Sequence, residues 1–202
     1  MTEVKKPVWG KNIKPGYIGF TFTDDSFISD GIAWFTRQKD LDIKVSHTFV
    51  VGYRPMGLIE AHVETGVRAW SIEDYINDPK THLFFRKPKG LTDTMTQLII
   101  DTAEVRIGAK YDKSLILGHM LSNTFLGRLL VRMIGNIPEK ILTAATNNPE
   151  EWICSELVAN CLDSCSALHD VGILAEPVST ITPQELFEDQ EIFEPFKMEV
   201  GS

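Results

Sequence analysis

No stretch of this 202-residue chain comes near the roughly 20 consecutive apolar residues that a membrane-spanning helix needs. The opening residues, Met-Thr-Glu-Val-Lys-Lys-Pro-Val-Trp-Gly, hold no apolar run of signal-peptide length either. The expectation is a cytoplasmic protein that works where it is made. Positive charge is the scarcer sign, with 20 Lys and Arg against 28 Asp and Glu and a net charge of −8. That balance argues against a nucleic-acid partner, which needs a basic face, although a local basic groove stays compatible with it. Cysteine is scarce and odd in number: three residues, all between Cys154 and Cys165. Cysteines spaced along one helical segment do not make a disulfide framework, and a reducing compartment fits them. Familiar cofactor and metal motifs are missing, with no Cys-x-x-Cys, P-loop, Gly-x-Gly-x-x-Gly or His-Glu-x-x-His. Gly-x-Ser-x-Gly is absent too, which removes support for a serine nucleophile elbow. Cys161, Cys165 and His169 could offer three metal ligands at helical spacing but lack a strong fourth. No cofactor and no metal are expected.

What remains is an ordinary globular composition, 43% apolar and 24% charged, over a length that suits a single domain spanning 1–202. Tyr17 to Phe22 reads as a strand, followed by N-cap candidates Asp24, Asp25 and Ser26 for a helix carrying Phe27, Ile28, Ile32 and Phe35. Lys44 to Tyr53 and Leu58 to Val63 read as strands about the Arg54-Pro55-Met56-Gly57 turn. Thr65-Gly66 turns the chain again into Val67 to Trp70. A short helix opens at Ser71, a strand follows over Thr81 to Lys87, and Thr92 to Ile107 has helical apolar spacing at Met95, Leu98, Ile99, Thr102 and Val105. Asn147 to Glu151 looks like the entry to a helix that carries Cys154. Thr182 opens a last short helix, and Ile192 to Val200 reads as a closing strand. Strands with helices segregated around them predict an α+β fold with an antiparallel sheet. The apolar, helical stretch 113–146 is an insertion that could cap the core, act as a lid, form a dimer surface or contact lipid; Asn123, Arg128 and Arg132 interrupt it and argue against a membrane span.

The chemistry-bearing candidates are few. Cys154 falls at the first turn of its helix, where unpaired N–H groups and the positive end of the dipole stabilise a thiolate. It also lies on one stripe with Val158, Cys161 and Cys165, so a buried, inert thiol is the competing reading; Cys161 and Cys165 fit that reading well. His47 sits inside the apolar run Val45-Ser46-His47-Thr48-Phe49, as either a base with a partner or a core histidine satisfied by a carbonyl. The hairpin about Pro55 brings Glu60 near His47, where a carboxylate could orient the ring; a solvated strand glutamate is the alternative. His62, His82, His119 and His169 have surface contexts.

Taken together, Ser46-His47-Thr48-Phe49-Val50-Val51, Leu58-Ile59-Glu60-Ala61 with Gly66-Val67-Arg68, Ala109-Lys110-Tyr111-Asp112 and Cys154-Ser155-Glu156-Leu157-Val158 resemble the circularly permuted NlpC-type papain-like proteins, most of all their YiiX-like branch. The resemblance spans roughly residues 14–165 and rests on the joint order of short motifs. It implies a permuted papain-like fold: an antiparallel sheet or barrel carrying the histidine and the polar residue, with the cysteine at the N-terminus of a helix packed against it. It further implies Cys154 as nucleophile, His47 as base and Glu60 as the residue that orients it. Ser155 or Cys154 would supply an oxyanion-hole N–H, Tyr111 would line the substrate site, and Asp112 would help hold the tyrosine loop. Thr48-Phe49 departs from the small residue or glycine that the family often has near its histidine. The implied activity is cysteine hydrolysis of an amide, peptide or related acyl bond in a small peptide, amide or acyl-lipid substrate. Two alternatives stand beside it: acyl transfer of the lecithin retinol acyltransferase type, with 113–146 binding acyl chains, and a scaffold without activity.

Overall fold

The computed structural model describes residues 7–24, 43–55, 57–112 and 151–195. The helix expected after Asp24 and the insertion 113–146 lie outside these residues, as does the part of the expected closing strand beyond residue 195. The described part is α+β. Five strands, β1 (Ile18–Thr23), β2 (His47–Val51), β3 (Leu58–His62), β4 (Gly66–Trp70) and β5 (Thr81–Arg86), form an antiparallel sheet in the order β4-β3-β2-β1-β5. Four described helices accompany it: α1 (Ile72–Asn77), α2 (Asp93–Glu104), α3 (Cys154–Asp163) and α4 (Pro183–Glu188). None is long and apolar enough to cross a membrane.

Both faces of the sheet are covered, so its central strands are apolar on both sides rather than alternating with polar residues. On one face Ile18, Phe20, Val50, Ile59, Ala61 and Val67 join the main core with α2 and α3. On the other, Phe49, Val51 and Leu58 pack with Ile13 and with Ile72 of α1. The side-chain period of two divides β2 between these cores. α3 sits in the middle of the main core, with Cys154 to Ala159, Cys161 and Leu162 all buried, as expected of a helix that is apolar most of the way round.

The structure departs from the sequence expectation at three points. Glu151 does not begin the cysteine helix. Glu151–Trp152 is a short strand, β7, paired in parallel with Lys110–Tyr111, β6, and the backbone turns helical only at Cys154. Extended pairing with β6 outweighs the first-turn preference of an acidic residue. In α2 the buried stripe is Ile99, Ile100 and Ala103, while Leu98 is 39% and Val105 75% exposed. The helix presents a narrower and slightly rotated face to α3, and it ends before Val105. At Ile192 no strand forms among the described residues; Phe193 makes an isolated bridge to Pro88, because Arg86 and the 87–89 segment already capture that part of the tail.

Two glycines shape the site's surroundings. Gly19 pairs with Phe49 across β1 and β2, and a Cβ there would stand 2.1 Å from the Phe49 ring. The phenylalanine next to His47 is therefore accommodated by a glycine on the neighbouring strand. The freed space lets Phe49 stack on Tyr75 of α1, with centroids 5.7 Å apart and planes at 7°. Gly19→Ala is expected to destabilise the protein by about 1–3 kcal/mol through overpacking, read as a lower urea midpoint at unchanged m-value; an unshifted midpoint would show that Phe49 relaxes freely. Gly66 (φ +76°) opens β4 where a Cβ would meet the Ala109 carbonyl at 2.2 Å. That close approach lets Val67 N–H donate to Ala109 (2.8 Å) and Gly108 N–H to Val67 (2.9 Å), which ties the segment leading to Tyr111 onto the sheet.

Candidate active site

The candidate site lies where the start of β2, the middle of β3, β4, α1 and the start of α3 meet. Glu60 is its centre, a carboxylate with no solvent exposure. Burying such a charge is costly unless every lone pair finds a donor, and here four bonds supply them. His47 Nε2 and Tyr75 Oη each donate to Oε2 at 2.7 Å. Arg68 donates to Oε1 from Nε at 2.8 Å and from Nη2 at 2.7 Å. The β3–β4 register explains the arginine, because Glu60 and Arg68 are direct cross-strand partners. His47 lies further along β2 on the same side of the sheet, with its side chain 20% exposed.

Burial works against charge on His47, but Cys154, as charged neighbour and hydrogen-bond partner, and then Glu60 outweigh it and hold the imidazole's pKa up at about 10. Burial likewise works against charge on Glu60, yet the hydrogen bond and charge of His47, with Tyr75 and Arg68, hold it down at about 2. The ring thus stands between a carboxylate and a thiol. With Nε2 engaged by Glu60, Nδ1 is the nitrogen left for Cys154. Glu60, saturated with donors, acts as a fixed anion rather than a proton acceptor.

Cys154 is the first helical residue of α3 and 5% exposed. Its N-cap, Ile153, offers no side-chain hydrogen bond, so the first-turn N–H groups are not capped from that position. Ser155 is fully buried, and its Oγ has no hydrogen-bond partner among the described residues. Tyr111 is half-buried beside Trp152. Its phenol is pushed well above the usual value by burial, then by the charges of Cys154, Asp112 and Glu60, which places it on the same cluster. Asp112 is buried, and its backbone N–H donates to the Trp152 carbonyl at 3.2 Å.

Among the other described cysteines and histidines, His62 borders this cluster, near the charges of Arg68, Glu60 and His47, and the rest lie apart from it. Cys161 and Cys165 are buried in the main core, and burial pushes both thiols up. His169 does not join them: it turns to Asp163 (3.0 Å) and Asp170 (3.4 Å). His82, expected at the surface, is half exposed and pairs with Asp24 at 2.8 Å. His62 Nδ1 accepts from the Glu64 N–H at the hairpin end. His119 lies outside the described residues.

Two members of the cluster carried no assigned role in the sequence reading. Arg68 could have been found from the Thr65-Gly66 turn, since a hairpin closing at His62 and Gly66 sets 68 opposite 60. Tyr75 had no such signal; its position depends on how α1 docks against Phe49. No family model, no curated protein and no solved structure matches this chain.

Proposed function

We propose that the chain is a cysteine-dependent acyl hydrolase, cleaving an amide, peptide or related acyl bond through a thioester on Cys154, in a permuted papain-like arrangement. The observation that carries this reading is the His47 ring held at 2.7 Å by the buried carboxylate of Glu60, with Cys154 at the start of α3 near enough to raise the imidazole's pKa. The arrangement matches nucleophile, base and orienting group in their spatial roles. The chain order of histidine, glutamate and cysteine supports the permuted form.

In the proposed reaction Cys154 gives its thiol proton to His47, and Sγ attacks the substrate carbonyl carbon. The oxyanion is met by N–H groups at the start of α3. His47 delivers its proton to the leaving nitrogen or oxygen as the C–N or C–O bond breaks. A water then gives a proton to His47 and attacks the thioester; as the C–S bond breaks, His47 passes that proton to Sγ, which restores the thiol and releases the carboxylic acid. Tyr111, neutral because its phenol is held high, lines the place where the acyl group arrives.

Acyl trapping tests the reading. Incubation with p-nitrophenyl acetate is expected to give a burst of one nitrophenolate per chain and an acetyl group mapped to Cys154, with neither in Cys154→Ala. Acetylation spread equally over the three cysteines, or a burst that survives the alanine variant, would remove the proposal.

A further inference from the structure

The donors around Glu60 are more numerous than orienting one histidine requires. Arg68 approaches with two of its nitrogens on a single oxygen. Its guanidinium carbon lies 4.2 Å from the ring centre of Trp70, a flat support that limits the directions in which the fork can turn. Tyr75 reaches the other oxygen, the one that also binds His47. Its own ring is fixed by Phe49, and it lies 6.3 Å from the His47 ring. The carboxylate is therefore clamped from β4 on one side and from α1 on the other. Rotation about the Glu60 side chain would break two charge-assisted bonds with Arg68 or the bonds with Tyr75 and His47, and the buried setting offers no water in exchange.

We propose that Arg68 and Tyr75 are positioning residues for the cysteine chemistry, clamping Glu60 from two strand-and-helix directions so that His47 keeps the ring orientation that faces Cys154. The inference rests on the reading of Cys154 as nucleophile and extends it to residues that touch neither substrate nor thiol. It also predicts a pH signature. The groups facing Glu60 are His47 from β2, Arg68 from β4, Tyr75 from α1, Tyr111 from β6 and Cys154 from α3, with His62 two residues along β3. Tyr75→Phe changes no charge among them and removes one donor to the carboxylate, so Glu60 takes up a proton at higher pH. The charge that supports His47 is then lost earlier on acidification. Arg68→Lys keeps the charge and removes the fork.

The experiment is the pH profile of Cys154 alkylation by iodoacetamide, read by peptide mapping, in the full chain, in His47→Ala and in the two variants, each with a circular-dichroism melt to verify folding. Both variants are expected to slow alkylation at neutral pH about tenfold, the scale of one lost charge-assisted bond. Tyr75→Phe is further expected to move the acid limb up by about one pH unit. A wild-type Cys154 that reacts no faster than free cysteine overturns the underlying reading. A fast wild type, slowed by His47→Ala but matched in rate and profile by folded Tyr75→Phe, overturns this inference alone. A slower Tyr75→Phe whose acid limb stays in place does so as well, since that result marks a structural role. If Arg68→Lys fails to fold, Tyr75→Phe decides.

Discussion

His47→Ala is expected to lower the rate at which Cys154 is acylated by about 10²–10⁴-fold, the usual worth of a positioned general acid or base. The same change removes the partner that makes Glu60 an orienting group, so adding Glu60→Gln should cost little more than His47→Ala alone. A double variant whose losses multiply would show that Glu60 acts on Cys154 by another route. Stability gives an independent measurement. Because the folded pKa of His47 is raised from 6.5 to about 10, its contribution is complete below 6.5 and is lost as pH rises through about 10. Glu60 is lowered from 4.5 to about 2, so its contribution is complete above 4.5 and is lost as pH falls through about 2. The melting temperature of the wild type should fall from neutral to strongly alkaline pH, and His47→Ala should flatten the part of that fall that belongs to the imidazole. Parallel curves for the two proteins would mean that His47 carries no extra proton in the folded state.

Arg86→Met is expected to destabilise the fold by about 3–5 kcal/mol, the cost of leaving three backbone carbonyls without their charged donor, without touching the candidate site. Arg86, at the end of β5, is 1% exposed. Its Nη1 donates to the Phe187 carbonyl, and its Nη2 donates to the carbonyls of Glu194 (3.0 Å) and Asp189 (3.3 Å). The guanidinium also packs against the rings of Phe187 and Phe193, at 5.5 and 5.0 Å, and both rings meet Phe20 of β1 edge-on. One side chain thus ties the end of α4 and the following tail to the sheet. Burial pushes its pKa down to about 10 despite the charge of Asp189, so it remains a cation at neutral pH. Methionine would fill part of the volume and leave carbonyls without donors. For a chain of this size the loss corresponds to a fall in melting temperature of about 10 °C. Arg86→Lys should recover only part of it, because an ammonium cannot reproduce a planar fork. A loss below about 1 kcal/mol would show that the carbonyls find other donors.

Local chemistry made much of this fold legible. β-Branched and aromatic residues marked β2, the Arg54-Pro55-Met56-Gly57 turn marked β3 as its return, and Thr182 with Glu185 marked a helix start, where a capping box forms. The nearness of Glu60 to His47 followed from a hairpin, since a turn near Pro55 leaves few registers. Other features depended on contacts between distant segments. The cysteine helix starts at Cys154 because residues 110–111 hold Glu151–Trp152 extended, and nothing near position 151 announces that pairing. The Phe49 beside His47 is admitted by Gly19 on β1, a fit that no stretch near position 49 announces. Arg86 read only as a strand residue, since its three carbonyl partners come from segments about a hundred positions later.

The inventory was legible along the chain: one cysteine set at a helix start, a histidine in an apolar strand, a carboxylate on the next strand, and the order in which they occur. These follow from short-range periodicity, capping and turn chemistry, which act within a few residues. Packing between distant segments set the state those groups occupy. It buried Glu60 and then surrounded it with Arg68, Tyr75 and His47, so that the carboxylate remains charged where water is excluded, and it brought Cys154, more than a hundred residues along the chain, near enough to act on the charge of the same imidazole. Burial and charge pairing are set by the whole packing of the sheet, α1 and α3, and no local stretch of the chain specifies them.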